Sequence, residues 1–286
     1  MISDITLGQF FPGESVLHRL DPRTKILISI LFIVSVFVAS NPLSFFVLVA
    51  ATIGLIAISG ISFKVVFKGV KPIIFVLVFT ALINVFMTAG VGEPLVSFWI
   101  IKIYKEGIIR AVFMALRVVI LIVGTSMLLT YTTSPISLTD GIESLLSPLK
   151  KIGVPVHVFA MMMTIALRFI PTLIEETEKI MNAQKSRGAD FSSGGLVKRV
   201  KALIPILVPL FLSSFKRAEE LATAMECRCY RGDNNRTKLV KLTYKPIDFS
   251  WLAIGAVFTA AMFLMKYLPY TFGVDGVLFD ILLYTL

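Results

Sequence analysis

Two arginine-containing stretches are the residues of this chain best suited to bind a partner. They read Gln-Lys-Ser-Arg-Gly-Ala-Asp over 184–190 and Cys-Arg-Cys-Tyr-Arg-Gly-Asp over 227–233. Each closes a helical run of about 30 residues, and glycine can adopt the left-handed conformation that caps the free carbonyls of a helix end. Arginine also suits the negative end of the helix dipole. One interpretation is therefore two well-capped helices; the other is a pair of arginines offered to one partner assembly.

The composition indicates a membrane protein. Of 286 residues, 56% are hydrophobic and only 16% are charged, and the mean hydropathy is +0.86. A soluble domain has about a quarter of its residues charged. The net charge of +10 is typical of cytoplasmic loops in a membrane protein. The basic residues lack the interleaved aromatic residues of a nucleic-acid groove, so no nucleic acid is expected.

Several other classes of function are disfavoured by what the sequence lacks. Cys227 and Cys229 are the only cysteines and the two histidines lie far from them in sequence, so we expect neither a disulfide scaffold nor a metal site. No phosphate-binding G-x-x-x-x-G-K-[ST] loop is present, so no nucleotide or other cofactor is expected in this chain. No nucleophile–base pair or catalytic carboxylate pair lies within the apolar runs, which argues against an enzyme. Residues 1–25 are mixed polar, unlike a cleavable signal peptide.

The apolar runs predict an all-α fold, a polytopic membrane helical bundle with long amphipathic coupling helices that are cytoplasmic or interfacial. Runs of this length and apolarity can span a bilayer; the predicted spans are Ile26–Ser40, Leu43–Ser59, Pro72–Ala89, Glu106–Tyr131 and Pro246–Lys266. The predicted domains are an N-terminal bundle of about four spans (1–134), coupling helices (135–245), and a C-terminal helix and tail (246–286). Whether 274–286 also spans is left open.

Both arginine stretches lie within the segment 135–245, and its predicted helices position them. We predict a short amphipathic helix over 138–150, a long helix over Val156–Lys185 that Pro171 kinks, and a second long helix over Leu196–Cys227. The region from 185 to 245 is the most basic of the chain, which predicts that it and the N-terminus face the cytoplasm. The aromatic stretch Val96–Tyr104 is predicted to lie at the outer membrane surface.

Three arginines lie within apolar runs and are candidates for a role in the bundle or in coupling. Arg110 and Arg117 are seven residues apart and share nearly one helix face, while Arg168 precedes Pro171 in the first long helix. An arginine inside a membrane is a functional candidate by default. The alternative is that Arg110 reaches the surface and Arg117 pairs with a carbonyl of a neighbouring helix.

The chain resembles the transmembrane (T) component of energy-coupling factor transporters, a branch of the ABC importers. The resemblance extends over about residues 15–265. It is carried by these stretches: Leu-His-Arg-Leu-Asp-Pro-Arg-Thr-Lys over 17–25, Leu-Leu-Thr-Tyr-Thr-Thr-Ser-Pro over 128–135, Leu-Arg-Phe-Ile-Pro over 167–171, and the triplets Ser186-Arg187-Gly188 and Cys227-Arg228-Cys229. The family's triplets are commonly Ala-Arg-Gly, so the second departs at both flanks. Either Arg228 or Arg231 could make its contact, and we favour Arg228.

The resemblance implies an assembly in a bacterial cell membrane. Two ABC-type ATPase subunits, identical or different, would bind ATP and dock at Arg187 and Arg228, and a separate small membrane S component would bind a vitamin or another micronutrient. This chain would couple them without catalysing a reaction. The alternative is an independent secondary transporter with Arg110, Arg117 and Arg168 as substrate contacts. The absence of acidic residues at mid-depth in the membrane hairpins argues against it.

Overall fold

The computed structural model describes residues 10–88, 96–98, 101–189, 191, 195–230, 232 and 242–267. Parts of several predictions fall outside these residues: the extreme N-terminus, residues 99–100 of the Val96–Tyr104 stretch, Arg231, residues 233–241 of the basic region and the tail 274–286. The described helices are α1 (Val16–Arg19), α2 (Pro22–Val38), α3 (Pro42–Ser59), α4 (Phe63–Val70), α5 (Ile74–Met87), α6 (Lys105–Thr125), α7 (Pro135–Leu145), α8 (Val156–Ser186), α9 (Leu196–Cys227) and α10 (Pro246–Tyr267).

The predicted all-α fold is confirmed, with one small addition. Strands β1 (Val96–Phe98) and β2 (Ile101–Ile103) pair antiparallel in the stretch predicted to lie at the membrane surface. A 3-10 turn over Lys71–Ile73 joins α4 to α5, and a π-helical turn over Ser126–Thr130 extends α6. The third span, predicted from Pro72, therefore begins earlier, because Phe63–Met87 is one helical segment long and apolar enough to cross a membrane.

Among the described residues, five helices are long and apolar enough to cross a membrane. They are Pro42–Ser59, Phe63–Met87, Lys105–Thr130, Val156–Ser186 and Pro246–Lys266. Helix α2 has 17 residues, one fewer than the shortest of these five. The set includes α8, whose first half is apolar. The chain is thus a multi-pass membrane protein, and the cytoplasmic placement of α8 stays a prediction.

The helix predicted over 138–150 forms as two pieces. Helix α7 begins at Pro135, earlier than predicted, and ends at Leu145, and a 3-10 helix follows over Ser147–Ile152. Pro148 explains the division, because proline has no N–H for the helical ladder and its ring clashes with the preceding turn. Helix α8 continues through Pro171 as one helix of 31 residues.

The chain divides into two compact units. One comprises Gln9–Gly141 with Leu242–Leu286, and the other is built around Ile142–Lys241. In the first unit α10 packs along α2, and α6 packs against α2, α3 and α5. The ring of Phe32 occupies the space that a side chain at Gly124 would need, so glycine permits α2 and α6 to approach closely. In the second unit α8 packs against α9.

Candidate docking site at two helix ends

The end of α8 is closed by backbone hydrogen bonds. Arg187 is the C-cap residue, with φ −88° and ψ 9°, and Gly188 follows at φ +85°. The Gly188 N–H donates to the Lys185 carbonyl at 2.9 Å, and the Ala189 N–H donates to the Gln184 carbonyl at 3.0 Å. This pattern is a Schellman motif, which satisfies the last carbonyls of a helix. The predicted glycine cap is present.

The end of α9 has the same geometry with a different residue in the left-handed position. Arg228 is the C-cap residue at φ −90° and ψ 13°, and Cys229 follows at φ +56°. The Cys229 N–H donates to the Glu226 carbonyl at 2.8 Å and the Tyr230 N–H to the Met225 carbonyl at 3.0 Å. Gly232, which the sequence suggested as the cap, takes no part in these bonds. The expectation of a glycine cap was wrong here, because Cys229 adopts the conformation that glycine prefers.

The two ends make Arg187 and Arg228 structurally equivalent. Both are C-cap residues with nearly equal backbone angles, and each is followed directly by a left-handed residue. Arg231 lies outside the described residues. The equivalence favours Arg228 over Arg231 as the counterpart of Arg187.

The two guanidinium groups are available to a partner. Arg187 and Arg228 are exposed, and neither side chain forms a hydrogen bond or an ion pair with another described residue. The caps are made by backbone N–H groups, so the helix ends do not need the arginine side chains. Ser186 is also exposed and donates its hydroxyl to the Asn182 carbonyl, while Cys227 and Cys229 are exposed free thiols.

The candidate residues in apolar segments belong to different units. Arg117 lies in the first unit, where its Nη2 donates to the Ala39 carbonyl at 2.6 Å and its guanidinium lies 5.4 Å from the centre of the Phe45 ring. Arg117 therefore pairs with a carbonyl of a neighbouring helix end. Arg168 and Pro171 lie on α8 in the second unit, and both are exposed.

A buried charged cluster in the first unit was missed by sequence reasoning. Asp248, which is 1% exposed, accepts hydrogen bonds from the Asp21 N–H at 2.8 Å and the Lys245 N–H at 2.7 Å. Asp21 also accepts a hydrogen bond from the Arg23 N–H and is the N-cap of α2. The cluster joins the start of α2 to the start of α10, although 227 residues separate the two aspartates.

Lys25 completes this cluster. Its Nζ donates to the Thr132 carbonyl at 2.8 Å, to Thr133 Oγ1 at 3.1 Å and to the His18 carbonyl at 3.3 Å. Burial lowers the pKa of Lys25 to about 8, although the charges of Asp21 and Asp248 raise it. The sequence signal that could have found it is a lysine directly before an apolar run, together with an aspartate in the first turn of α10.

No metal site is evident in the described part of the chain. No three histidine, cysteine, aspartate or glutamate side chains gather there in a way that could hold an ion. The described geometry instead offers two exposed cationic helix ends. Such ends can donate planar, charge-assisted hydrogen bonds to carboxylates or carbonyls of another protein.

The fold and the apolar helices identify this chain as a multi-pass α-helical membrane protein. A family model described as "CbiQ: Cobalt transport protein" matches residues 13–239. The chain is 56% identical over 249 residues to the "Energy-coupling factor transporter transmembrane protein EcfT" of Clostridium kluyveri, covering 87% of this chain and 92% of that protein. The proteins of the same name from Ruminiclostridium cellulolyticum and Bacillus subtilis are 51% and 47% identical. Each alignment covers 93% of this chain, with 99% of the first relative and 100% of the second.

The chain therefore belongs to the EcfT family, the transmembrane components of energy-coupling factor transporters. The family match extends over both units, since it includes most of the first and the described part of the second. The resemblance recognised from the sequence motifs is thereby confirmed.

Proposed function

We propose that this chain is the non-catalytic coupling subunit of an importer for vitamins or other micronutrients. It would transmit the ATP-driven movement of two ABC-type ATPase subunits to a separate S component that binds the substrate. The observation that carries the proposal is the pair of equivalent helix ends, each with an exposed arginine that has no intramolecular partner among the described residues.

Arginine is suited to this role by its chemistry. Its guanidinium presents a rigid planar set of donors that matches a carboxylate or a pair of carbonyls, and it stays charged at any physiological pH. Two matching ends suit two ATPase subunits, whether those subunits are identical or different. In this proposal the hydrolytic chemistry and the bound ATP belong to those partners.

The alternative of an independent secondary transporter finds little support in the contacts. Arg117 is occupied by the Ala39 carbonyl and the Phe45 ring. An arginine that is already bonded within the chain is poorly placed to bind a substrate, which weighs against the alternative.

We also propose that the N-terminus and residues 135–245 face the cytoplasm of the bacterial cell, because the basic residues concentrate in the coupling region. Cys227 and Cys229 should then resist an impermeant thiol reagent in intact cells and react after permeabilisation. A cysteine introduced into the 91–105 loop should react from outside. Labelling of Cys227 in intact cells would overturn this orientation.

The experiment that tests the function is purification of the tagged full chain from membranes of its own host. We expect two ABC-type ATPase subunits to co-purify with each copy of the chain. A small membrane protein that retains a bound micronutrient should co-purify as well. Reconstituted vesicles of this assembly should take up that compound only when ATP is supplied to the ATPase side. Uptake by the chain alone, driven by an ion gradient, would contradict the proposal and establish the secondary transporter.

A further inference from the structure

One ion pair joins the two long helices of the second unit. Arg217 Nη2 on α9 lies 3.3 Å from Glu176 Oε2 on α8, and the two side chains are 39% and 27% exposed. Among the described side chains, no other ion pair connects these helices. The pair therefore identifies a point where α8 and α9 are in contact.

This contact stands at the same distance from both candidate docking arginines. Glu176 precedes Arg187 by 11 residues, and Arg217 precedes Arg228 by 11 residues. Both intervals are unbroken helix up to the C-cap. At 1.5 Å per residue each interval is about 16 Å long. Two helical segments of equal length therefore extend from the ion pair, and each ends in one arginine.

The helical period also places the contact and the arginines on matching faces. Eleven residues at 3.6 per turn amount to about three full turns, with a remainder of about 20°. Arg187 therefore lies nearly above Glu176 on α8, and Arg228 lies nearly above Arg217 on α9. Each arginine is carried on the side of its helix that meets the other helix at the ion pair.

The charged side chains next to the ion pair are more exposed than the pair itself. Glu175 and Lys216 carry the same signs as Glu176 and Arg217, but both are exposed, and neither forms an ion pair within the described part of the chain. A partly solvated ion pair adds little to stability. Opposite charges at a contact favour the register that pairs them.

We infer that Glu176 and Arg217 are positioning residues that hold the two coupling helices in register and so set the separation of Arg187 and Arg228. The importance of this separation for coupling rests on the proposed function. The separation itself can be measured on the chain alone, without any partner. Fixing it would let two ATPase subunits act on both helix ends as one unit.

The test measures the separation by electron paramagnetic resonance. Spin labels are attached to Ala183→Cys and Ala224→Cys, two exposed positions that lie four residues before the two arginines. The full chain carries Cys227→Ser and Cys229→Ser and is held in lipid nanodiscs. We expect one main distance in this parent protein. Glu176→Arg or Arg217→Glu alone should shift or broaden the distribution, and the double swap Glu176→Arg/Arg217→Glu should restore it.

The neighbouring charges supply a matched control. Glu175→Arg and Lys216→Glu make the same changes of charge one residue away, and they should leave the distance distribution unchanged. If a single reversal does not yield folded protein, Glu176→Gln replaces it, since this change keeps the shape and removes the charge. Unchanged distances in the single variants, or a double swap that fails to restore them, would overturn the inference.

Transport measurements on the unlabelled complex then separate this inference from the proposed function. We expect each single reversal to lower the uptake per ATP hydrolysed several-fold and the double swap to recover at least half of it. If the double swap restores the distance but the single reversals do not lower uptake, the pair sets the register of the helices but has no role in coupling. Failure of ATPase subunits to bind the parent chain would instead refute the proposed function and leave the distance result intact.

Discussion

The buried cluster at the start of α2 and the exposed ends of α8 and α9 use charged residues in opposite ways. Lys25 and Asp248 are 2% and 1% exposed, and hydrogen bonds within the chain occupy both. Arg187 and Arg228 are exposed, and among the described residues their side chains have no such bonds. The first set joins segments that are far apart in sequence. The second set is left for contacts outside the chain.

This difference separates charges that stabilise the fold from charges that are available for function. A buried charge must be compensated within the protein, because an uncompensated one is costly. An exposed arginine at a helix end that the backbone already caps contributes little to stability. Substitutions in the two regions should therefore have opposite profiles: loss of stability without a specific binding defect in the first, and loss of binding without loss of stability in the second.

The largest effect on stability is expected from Asp248→Ala. This change leaves the buried Asp21 N–H and the partly buried Lys245 N–H without their acceptor. The buried Asp21 N–H alone costs about 1–3 kcal/mol, and the Lys245 N–H, which water can reach in part, adds a smaller loss. Thermal unfolding of the detergent-solubilised chain should show a clear drop in midpoint, while Glu14→Ala, at an exposed carboxylate, should not. Equal midpoints for the two variants would show that the cluster is not structural.

A smaller loss is expected from Arg117→Leu. The Ala39 carbonyl, which belongs to a buried residue, would lose the donor that lies 2.6 Å away, at a cost of about 1–3 kcal/mol. Arg110→Leu, one heptad earlier on α6, is the control, because no nitrogen of the Arg110 side chain forms a hydrogen bond or ion pair with another described residue, whereas Arg117 Nη2 does. The thermal midpoint should fall more for Arg117→Leu than for Arg110→Leu. The reverse order would place the stabilising contact elsewhere.

The smallest effects concern the two caps. Gly188 has φ +85°, and no atom lies within 4 Å of the position that a side-chain carbon would take there, so Gly188→Ala should cost about 1 kcal/mol through backbone strain alone. Cys229→Gly should relieve the strain that a side chain causes at φ +56°. Hydrogen exchange of the capping amides should become about five-fold faster in the first variant and slower in the second. Changes of the same sign would show that the two caps are not equivalent.

Local patterns predicted much of the helical architecture. Helix α9 has the predicted bounds, and α8 ends one residue beyond its prediction. Asp21, directly before Pro22, is the N-cap of α2. These features depend on residues within a few positions of one another, where hydrophobic periodicity and capping chemistry act.

Other features depend on contacts or conformations that a local pattern does not reveal. Asp248 meets Asp21 across 227 residues, and no periodicity indicates that contact. Cys229 occupies a left-handed cap that the glycine rule assigned to Gly232. The Glu176–Arg217 pair requires the packing of α8 on α9. The motifs already favoured Arg228 as the counterpart of Arg187, and the nearly equal backbone angles of the two residues add a structural equivalence that the motifs do not show.

The central claim is tested most directly by the double variant Arg187→Ala/Arg228→Ala, purified beside the parent chain with the ATPase subunits co-expressed. Loss of one buried, charged, hydrogen-bonded contact costs about 2–5 kcal/mol in an interface. We therefore expect the single variants to retain part of the ATPase, and the double variant to lose it or to hydrolyse ATP without uptake, with its thermal midpoint unchanged. A double variant that binds ATPase normally and still transports would contradict the docking assignment and leave the two arginines as parts of their helix ends alone.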